Sequence, residues 1–325
     1  MPDPLVSVIM PIRNEEAFIR RSLGAVLAQD YPHMEVLVAD GMSTDDTRAI
    51  IAELGADSPI PVRVIDNPQH IVPTGFNVAL REARGDVIVR VDGHTLIEPD
   101  YVRACVEALQ RTGADNVGGR MDPVGMTPFG RAVALATTSP FGVGGARFHY
   151  SQREEWVDTV YMGAWPRRVF DRLGGFDERF VRNQDDEFNY RLRAAGGQIL
   201  LSPRIRSTYY NRGSLAALAR QYYQYGYYKV LVMRKHPAQM RPRQFAPPLF
   251  VAGLVGGGLA GLFSRVLRAL WLAGSAIYLA GNLAASVLAA RRDPPVLPLV
   301  PVAFATLHLS YGAGFLVGLI AHGSR

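Results

Sequence analysis

Three short stretches of the 325-residue chain hold acids and an imidazole spaced for work on a phosphorylated substrate. In Val91-Asp-Gly-His94, two ligand-type side chains stand two residues apart. On one loop both can turn to a single divalent cation bridging a diphosphate, and such a cation offsets the charge of a departing nucleoside diphosphate. A second stretch, Asp40-Gly-Met-Ser-Thr-Asp-Asp46, follows an apolar run. A carboxylate at the carboxyl end of a strand suits the ring N–H of a uracil or the hydroxyls of a ribose; Asp-Gly before Ser also makes an ordinary strand-to-helix turn. The third stretch is Gln184-Asp-Asp-Glu187. Four polar residues at a helix start are what capping of the free N–H groups and the helix dipole select. Successive helical residues diverge by about 100°, so one of Asp185, Asp186 and Glu187 is expected to face a pocket.

The elements that must hold these groups follow from the apolar runs. Strands are expected at Val6 to Ile12, Met34 to Ala39, Val62 to Ile65 and Asp86 to Val91, with helices opening at Asn14, at Pro73 and at Gln184. Glu15 and Glu16 would lie in the first turn of the helix at Asn14, where its dipole favours acid. From Leu5 to Arg243 the alternation of β-branched runs with charged helical stretches predicts an α/β domain built on a mainly parallel sheet flanked by helices. The turn after the first strand lacks Gly-x-Gly-x-x-Gly or any glycine-rich phosphate loop. This counts against a dinucleotide-binding fold and against a sugar-nucleotide pyrophosphorylase.

Beyond Arg243 the composition changes. Three apolar stretches, roughly Phe245 to Phe263, Leu267 to Ala290 and Val296 to Ile320, carry no acid and no lysine. Each approaches or exceeds the roughly 20 residues that cross a hydrocarbon core of about 30 Å. The expected organisation is a catalytic domain over residues 1–243 and a membrane region over 244–325 with two to three transmembrane helices. The first stretch begins after Pro247-Pro248 and contains Gly256-Gly-Gly258, which also suits a re-entrant or interfacial segment. Arg234, Lys235, Arg241 and Arg243 precede it, a bias that favours the cytoplasmic side and puts the large domain inside the cell, at the inner (plasma) membrane. The N-terminus shows no secretory signal. A lone Cys105 excludes an internal disulfide and Cys-rich zinc sites. The net charge of +6 comes from scattered arginines, many alternating with acids, so no nucleic-acid partner is expected.

The ordered set VSVIMPIRNEE, ADGMSTDDT, GFNVALREARGDVIVRVDGH and LGGFDERFVRNQDDEFNYRLRAAG resembles the family 2 glycosyltransferases of the GT-A fold. Among them it is most similar to bacterial exopolysaccharide transferases of the succinoglycan type. The resemblance implies an inverting transferase that moves a sugar from a nucleotide sugar, UDP-linked by preference, to a lipid-linked or membrane-proximal glycan acceptor, with Mn2+ or Mg2+ as cofactor. It assigns the general base to Asp185, the nucleotide to Asp40, and the metal and sugar diphosphate to Asp92 with His94. His94 replaces the second carboxylate of the usual Asp-x-Asp, which keeps a ligand and removes a charge; manganese tolerates imidazole better than magnesium does. Further donor contacts are implied at Pro11, Arg13, Glu15, Asn77 and Gly93. Acceptor or diphosphate contacts are implied at Trp165, Asp186, Arg220 and Gln221, with core packing the alternative for Trp165. The tyrosines around Tyr222 to Tyr228 suit either sugar stacking or an interfacial belt. Because Gln184 stands where the family has Glu and His94 where it has Asp, a membrane-anchored nucleotide-sugar-binding protein without turnover is the alternative reading, and a processive polysaccharide synthase is another.

Overall fold

The central strands are buried along their whole length: all seven residues of β1 (Val6–Ile12) and of β2 (Met34–Asp40) are shielded from solvent. Strands covered on both faces carry continuous apolar runs rather than alternation, which is why these segments read so clearly. The computed structural model describes residues 3–323. It divides into two packed units, the first comprising the chain up to Asp122 with Tyr150–Tyr209, the second Pro123–His149 with Tyr210 onward. The boundary therefore falls at Tyr210 and not at the expected residue 243.

After β1 come α1 (Ile19–Leu27), β2, α2 (Thr47–Ala56), β3 (Val62–Asp66), α3 (Val72–Glu82), β4 (Val87–Arg90), β5 (Thr95–Ile97), α4 (Tyr101–Thr112) and β6 (Asn116–Val124). Two helices of the second unit follow, α5 (Pro128–Thr137) and α6 (Pro140–Val143). The first unit then resumes with β7 (Glu155–Val157), β8 (Tyr161–Pro166), α7 (Arg167–Leu173), α8 (Gln184–Ala194) and β9 (Ile199–Tyr210). The sheet runs in the order β3-β2-β1-β4-β8-β6-β9-β5, with β7 paired to β9. Pairing is parallel from β3 through β2 and β1 to β4, then antiparallel from β4 to β8 and from β8 to β6. The parallel half ends with Asp40, the chain after Ile12 and the chain after Arg90 on one edge, since Ile12 pairs with Asp40 and Ile9 with Arg90. Ile19, Leu23 and Val26 of α1 and Val102, Cys105 and Val106 of α4 pack in the same core as β1, β2 and β4. Cys105 is buried there, with its thiol pushed well above its usual range by burial.

The expected helix at Asn14 starts five residues later, at Ile19. Asn14 takes a left-handed conformation, φ 52°, which interrupts any helix through it. Its amide donates to the Ser43 hydroxyl and its side-chain oxygen accepts from the Thr44 amide, while Glu15 N–H donates to Thr47. Glu15 and Glu16 are thus loop residues stitched to the turn after β2 rather than first-turn helix acids.

In the second unit α9 (Leu215–Lys235) precedes α10 (Ala246–Ala260), α11 (Arg265–Ala290) and α12 (Val300–Ala321). α9 lies against α12 at backbone contact: a Cβ on Gly226 would stand 2.0 Å from the Tyr311 carbonyl oxygen, and one on Gly314 2.0 Å from that of Tyr223. That glycine packing places α9 with the C-terminal helices. The 15 residues of α10 make a rod of about 22 Å, shorter than a hydrocarbon core of about 30 Å. Two helices, Arg265–Ala290 and Pro294–Ala321, are long and apolar enough to cross a membrane. Only 11% of the apolar window of α11 is buried, and Val266, Leu270, Ile277 and Leu283 stand exposed. A core helix of a water-soluble domain would bury such residues.

Candidate active site

β4 carries Arg90 to the carboxyl edge of the parallel half, and Asp92 and His94 follow on the loop to β5. Arg90 is 5% exposed. Its Nε and Nη2 both donate to Oδ1 of Asp92, at 2.9 and 2.8 Å, and its guanidinium lies over the Phe176 ring at 5.9 Å from the centroid. Burial alone would lower the basicity of this guanidinium; the negative charges of Asp92 and then Asp185 more than reverse that, so Arg90 stays cationic. Arg90 thereby holds the loop after β4. Nη1 of Arg90 is buried without a hydrogen-bond partner. The second oxygen of Asp92 accepts from the Tyr161 hydroxyl at 3.3 Å, and that hydroxyl also meets Thr95 Oγ1 at 2.7 Å. Burial and then the Asp92 charge push the Tyr161 phenol well above its ordinary value, which keeps it a neutral donor.

Gly93 fits where no side chain would: its Cβ would fall 2.8 Å from Ile12 Cγ2 and 3.0 Å from Glu15 Cγ. The Gly93 carbonyl accepts from Ser22 Oγ at 2.6 Å, pinning the loop to α1. His94, with a quarter of its side chain exposed, meets Glu15 Oε1 through Nδ1 at 3.0 Å. The edges of Phe18 and Tyr209 wall its ring. Because a carboxylate oxygen only accepts, Nδ1 is the protonated nitrogen of this pair. Nε2 of a neutral ring then carries a lone pair, the form that binds metals.

Asp185 and Asp186, in the first turn of α8, are half-buried, and Asp185 Oδ1 accepts the Asp186 amide at 2.9 Å. Asp186 Oδ1 takes a long bond, 3.4 Å, from Thr159. Glu187 is fully buried and grips Arg191 at 3.1 and 3.0 Å, while Arg191 donates to the carbonyls of Leu173 and Gly175. Glu187 faces inward as a clasp on the loop before α8, and the two aspartates are partly exposed.

Other residues fall elsewhere. Asp40 ends β2 as expected, but its carboxylate is fully buried, accepting from the Ser43 amide and hydroxyl and from Arg48 Nε at 2.5 Å. Arg48 also pairs with Asp66. So held, Asp40 shapes the turn and fixes Arg48. Arg13 is exposed beside Gly41 at the same edge, whereas Pro11 is buried within β1 opposite Ala39. The amide of Asn77 is wholly engaged by neighbouring chain, with Oδ1 accepting from Phe176 N at 2.8 Å and Nδ2 donating to the Phe176 carbonyl and to Glu178. Asn77 clamps the loop before α8 and is no donor contact in this structure. Trp165 is 1% exposed, edge-on to Phe76, Phe170, Phe176 and Phe188; it is core, not an acceptor platform. In the second unit, Arg220 is exposed and Gln221 donates to Tyr225 at 2.9 Å; neither belongs to the unit that holds Asp92 and Asp185.

The parallel half-sheet carries Arg13, Asp92 and His94 on the chain leaving its carboxyl edge. The model of glycosyl transferase family 2 matches residues 7–174. The succinoglycan biosynthesis protein ExoA of Rhizobium meliloti (strain 1021) is 32% identical over 95% of this chain and 93% of its own length. The chain belongs to glycosyl transferase family 2. A dolichyl N-acetyl-α-D-glucosaminyl phosphate 3-β-D-2,3-diacetamido-2,3-dideoxy-β-D-glucuronosyltransferase of Methanococcus voltae is 29% identical to this transferase, over 71% of the chain and 74% of the relative. Among solved structures, the mannosyltransferase PcManGT of Pyrobaculum calidifontis, in complex with GDP-mannose and Mn2+, superposes with a TM-score of 0.65 at 21% identity, over 97% of the transferase and 87% of that chain. The fold is GT-A. The family match stops before α8.

Two site residues of the transferase escaped the sequence reading. Arg90 had a signal, a charge inside the apolar run Val87-Ile-Val-Arg-Val91, since arginine is almost never fully buried unless paired. Tyr161 had none: it reaches Asp92 only because β8 lies beside β4.

Proposed function

We propose that this transferase moves one sugar from a nucleoside-diphosphate sugar, UDP-linked by preference, to a lipid-linked or membrane-proximal glycan acceptor by a single displacement that inverts the anomeric centre. The observation that carries the reading is the buried Arg90, which donates twice to Asp92 on the loop after β4 while Tyr161 donates to the other oxygen of the same carboxylate.

In this reading Asp185 accepts the proton of an acceptor hydroxyl as that oxygen forms a bond to the anomeric carbon. The bond from that carbon to the diphosphate oxygen breaks, and the nucleoside diphosphate leaves with the electron pair. An α-linked donor gives a β-linked product. Asp92 is oriented by Arg90 and Tyr161, and exposed Arg13 offers positive charge to the diphosphate. A divalent metal fits these residues in a particular way. Among the described residues no group of three or more His, Cys, Asp or Glu could hold a metal ion, so Asp92 and the free Nε2 of His94 would hold it together with the donor's own diphosphate. When bound, the metal supplies charge neutralisation for the leaving diphosphate. The ExoA similarity supports a place in exopolysaccharide or cell-surface glycan synthesis. The exposed apolar face of α11 and the basic run ahead of α10 support a plasma-membrane protein with its catalytic unit on the cytoplasmic side.

The test is a donor panel of UDP-, GDP- and dTDP-sugars with full-length protein in detergent and membrane lipid extract, reading released nucleoside diphosphate and glycolipid. Release is expected to require lipid extract and divalent metal and to vanish in Asp92→Ala and in Asp185→Asn. Transfer surviving both substitutions would overturn the reading.

A further inference from the structure

Glu15 is the residue of the site whose place is least explained by donor binding. Its amide is fixed to Thr47 at 2.8 Å, its Oε1 meets His94 Nδ1 at 3.0 Å, and its side chain is 19% exposed beneath the Gly93 loop. Glu15 reaches His94 across a separation of 79 residues, so the contact is made by the fold and not by chain proximity. The conformation that delivers it is specific: Asn14 stands at φ 52° immediately before it, and a Cβ at position 93 would press on Ile12 Cγ2 at 2.8 Å and on Glu15 Cγ at 3.0 Å.

We infer that Glu15 is a positioning residue for a metal ligand: its carboxylate accepts a hydrogen bond from the Nδ1–H of His94, fixes the ring's orientation, and leaves Nε2 as the coordinating nitrogen of a histidine-containing centre. The inference rests on the proposed metal role of His94. A carboxylate hydrogen-bonded to the far nitrogen of a ligating imidazole sets its tautomer and raises its donor strength, and removing such a partner costs about 10- to 100-fold in metal affinity. The rest of the cage around the ring is apolar-edged: Phe18 and Tyr209 approach edge-on, at 6.5 and 5.6 Å between centroids. They restrict rotation of the imidazole. With a single carboxylate, Asp92, beside an imidazole nitrogen, the set suits Mn2+, Co2+ or Zn2+ better than Mg2+, which prefers oxygen ligands. Glu15 thereby acts on metal choice rather than on the nucleotide.

The experiment uses the full-length protein in detergent with UDP and Mn2+. Mn2+ affinity is read from loss of the free-ion EPR signal, nitrogen coordination from the imidazole modulation in pulsed EPR, and UDP affinity by calorimetry with and without metal. Wild type is expected to show a directly bound imidazole nitrogen. Glu15→Ala is expected to weaken Mn2+ by about 10- to 100-fold and to reduce the nitrogen signal, with metal-free UDP binding unchanged. Glu15→Gln, whose amide oxygen can accept the same N–H bond, should restore most of both. Glu15→Ala with wild-type Mn2+ affinity and nitrogen signal would overturn the inference, as would an equal loss of UDP affinity with and without metal. Absence of the nitrogen signal in wild type itself would instead strike the assignment of His94 as a ligand, a separate failure.

Discussion

Arg90→Gln removes the only cation hydrogen-bonded to Asp92 among the described contacts, and the size of the effect follows from the site. Both bonds end on one carboxylate oxygen, at 2.9 and 2.8 Å, between side chains 6% and 16% exposed. At about 4 Å between charge centres and an effective dielectric near 20, the attraction is about 4 kcal/mol. Breaking one partner of a buried pair costs about 3–5 kcal/mol, because the remaining charge is stranded. For a unit of this size each kcal/mol lowers Tm by about 2–4 °C, so a fall on the order of 10 °C is expected. The assay is thermal unfolding of the full chain in detergent at one scan rate, followed by the near-ultraviolet signal of buried Trp165. Adding Asp92→Asn gives a neutral, hydrogen-bonding pair of similar shape, and most of the lost stability should return while transfer stays abolished, a non-additivity that a double-mutant cycle measures directly. If Arg90→Gln melts with wild type, or the double variant falls by the sum of the singles, the electrostatic account of Arg90 is wrong.

Asp185→Asn should lower kcat by about 100- to 10,000-fold with UDP affinity by calorimetry unchanged, whereas Asp186→Asn should lose far less. Asn77→Ala strips hydrogen bonds from the loop before α8 and should cost about 1–3 kcal/mol in thermal stability while leaving metal-free UDP binding intact; weakened UDP binding there would restore Asn77 to the donor site. Chelation with EDTA should abolish transfer, Mn2+ should restore it better than Mg2+, and His94→Asp should move that preference toward Mg2+ in a metal-titrated transfer assay. The Glu35 carboxyl gives a pH dependence. Burial alone would raise it, but bonds from the Ser7 hydroxyl and the Arg84 amide, and then Arg63, hold it below its ordinary 4.5. Its contribution to stability is therefore complete above about pH 4.5 and is lost as pH falls through the lower folded value. Glu35→Gln should flatten the decline of Tm in that acid window.

What the sequence determined by itself was local and periodic. Runs such as Val6 to Ile12 and Met34 to Asp40 must be strands covered on both faces, and the stretches that form α11 and α12 are long and apolar enough to cross a membrane. The placement of Asp92 and His94 after a strand end, and of the Gln184 tetrad at a helix start, was equally legible, because turns and helix starts select residues within a few positions of each other. Tertiary structure decided which of those polar groups were free. Asp40, Asn77 and Glu187 have the residue types of a binding site, yet Arg48, the Phe176 backbone and Arg191 consume them. Trp165 was drawn into the core by four phenylalanines. Conversely Arg90, Tyr161 and the bond from Glu15 to His94 join the site through partners tens of residues apart or more, except for the short step from Arg90 to Asp92. A side chain's type fixes what it can bond to, but only the packed sheet fixes what lies within 3 Å of it in this chain, and that distance separates a ligand from a clamp.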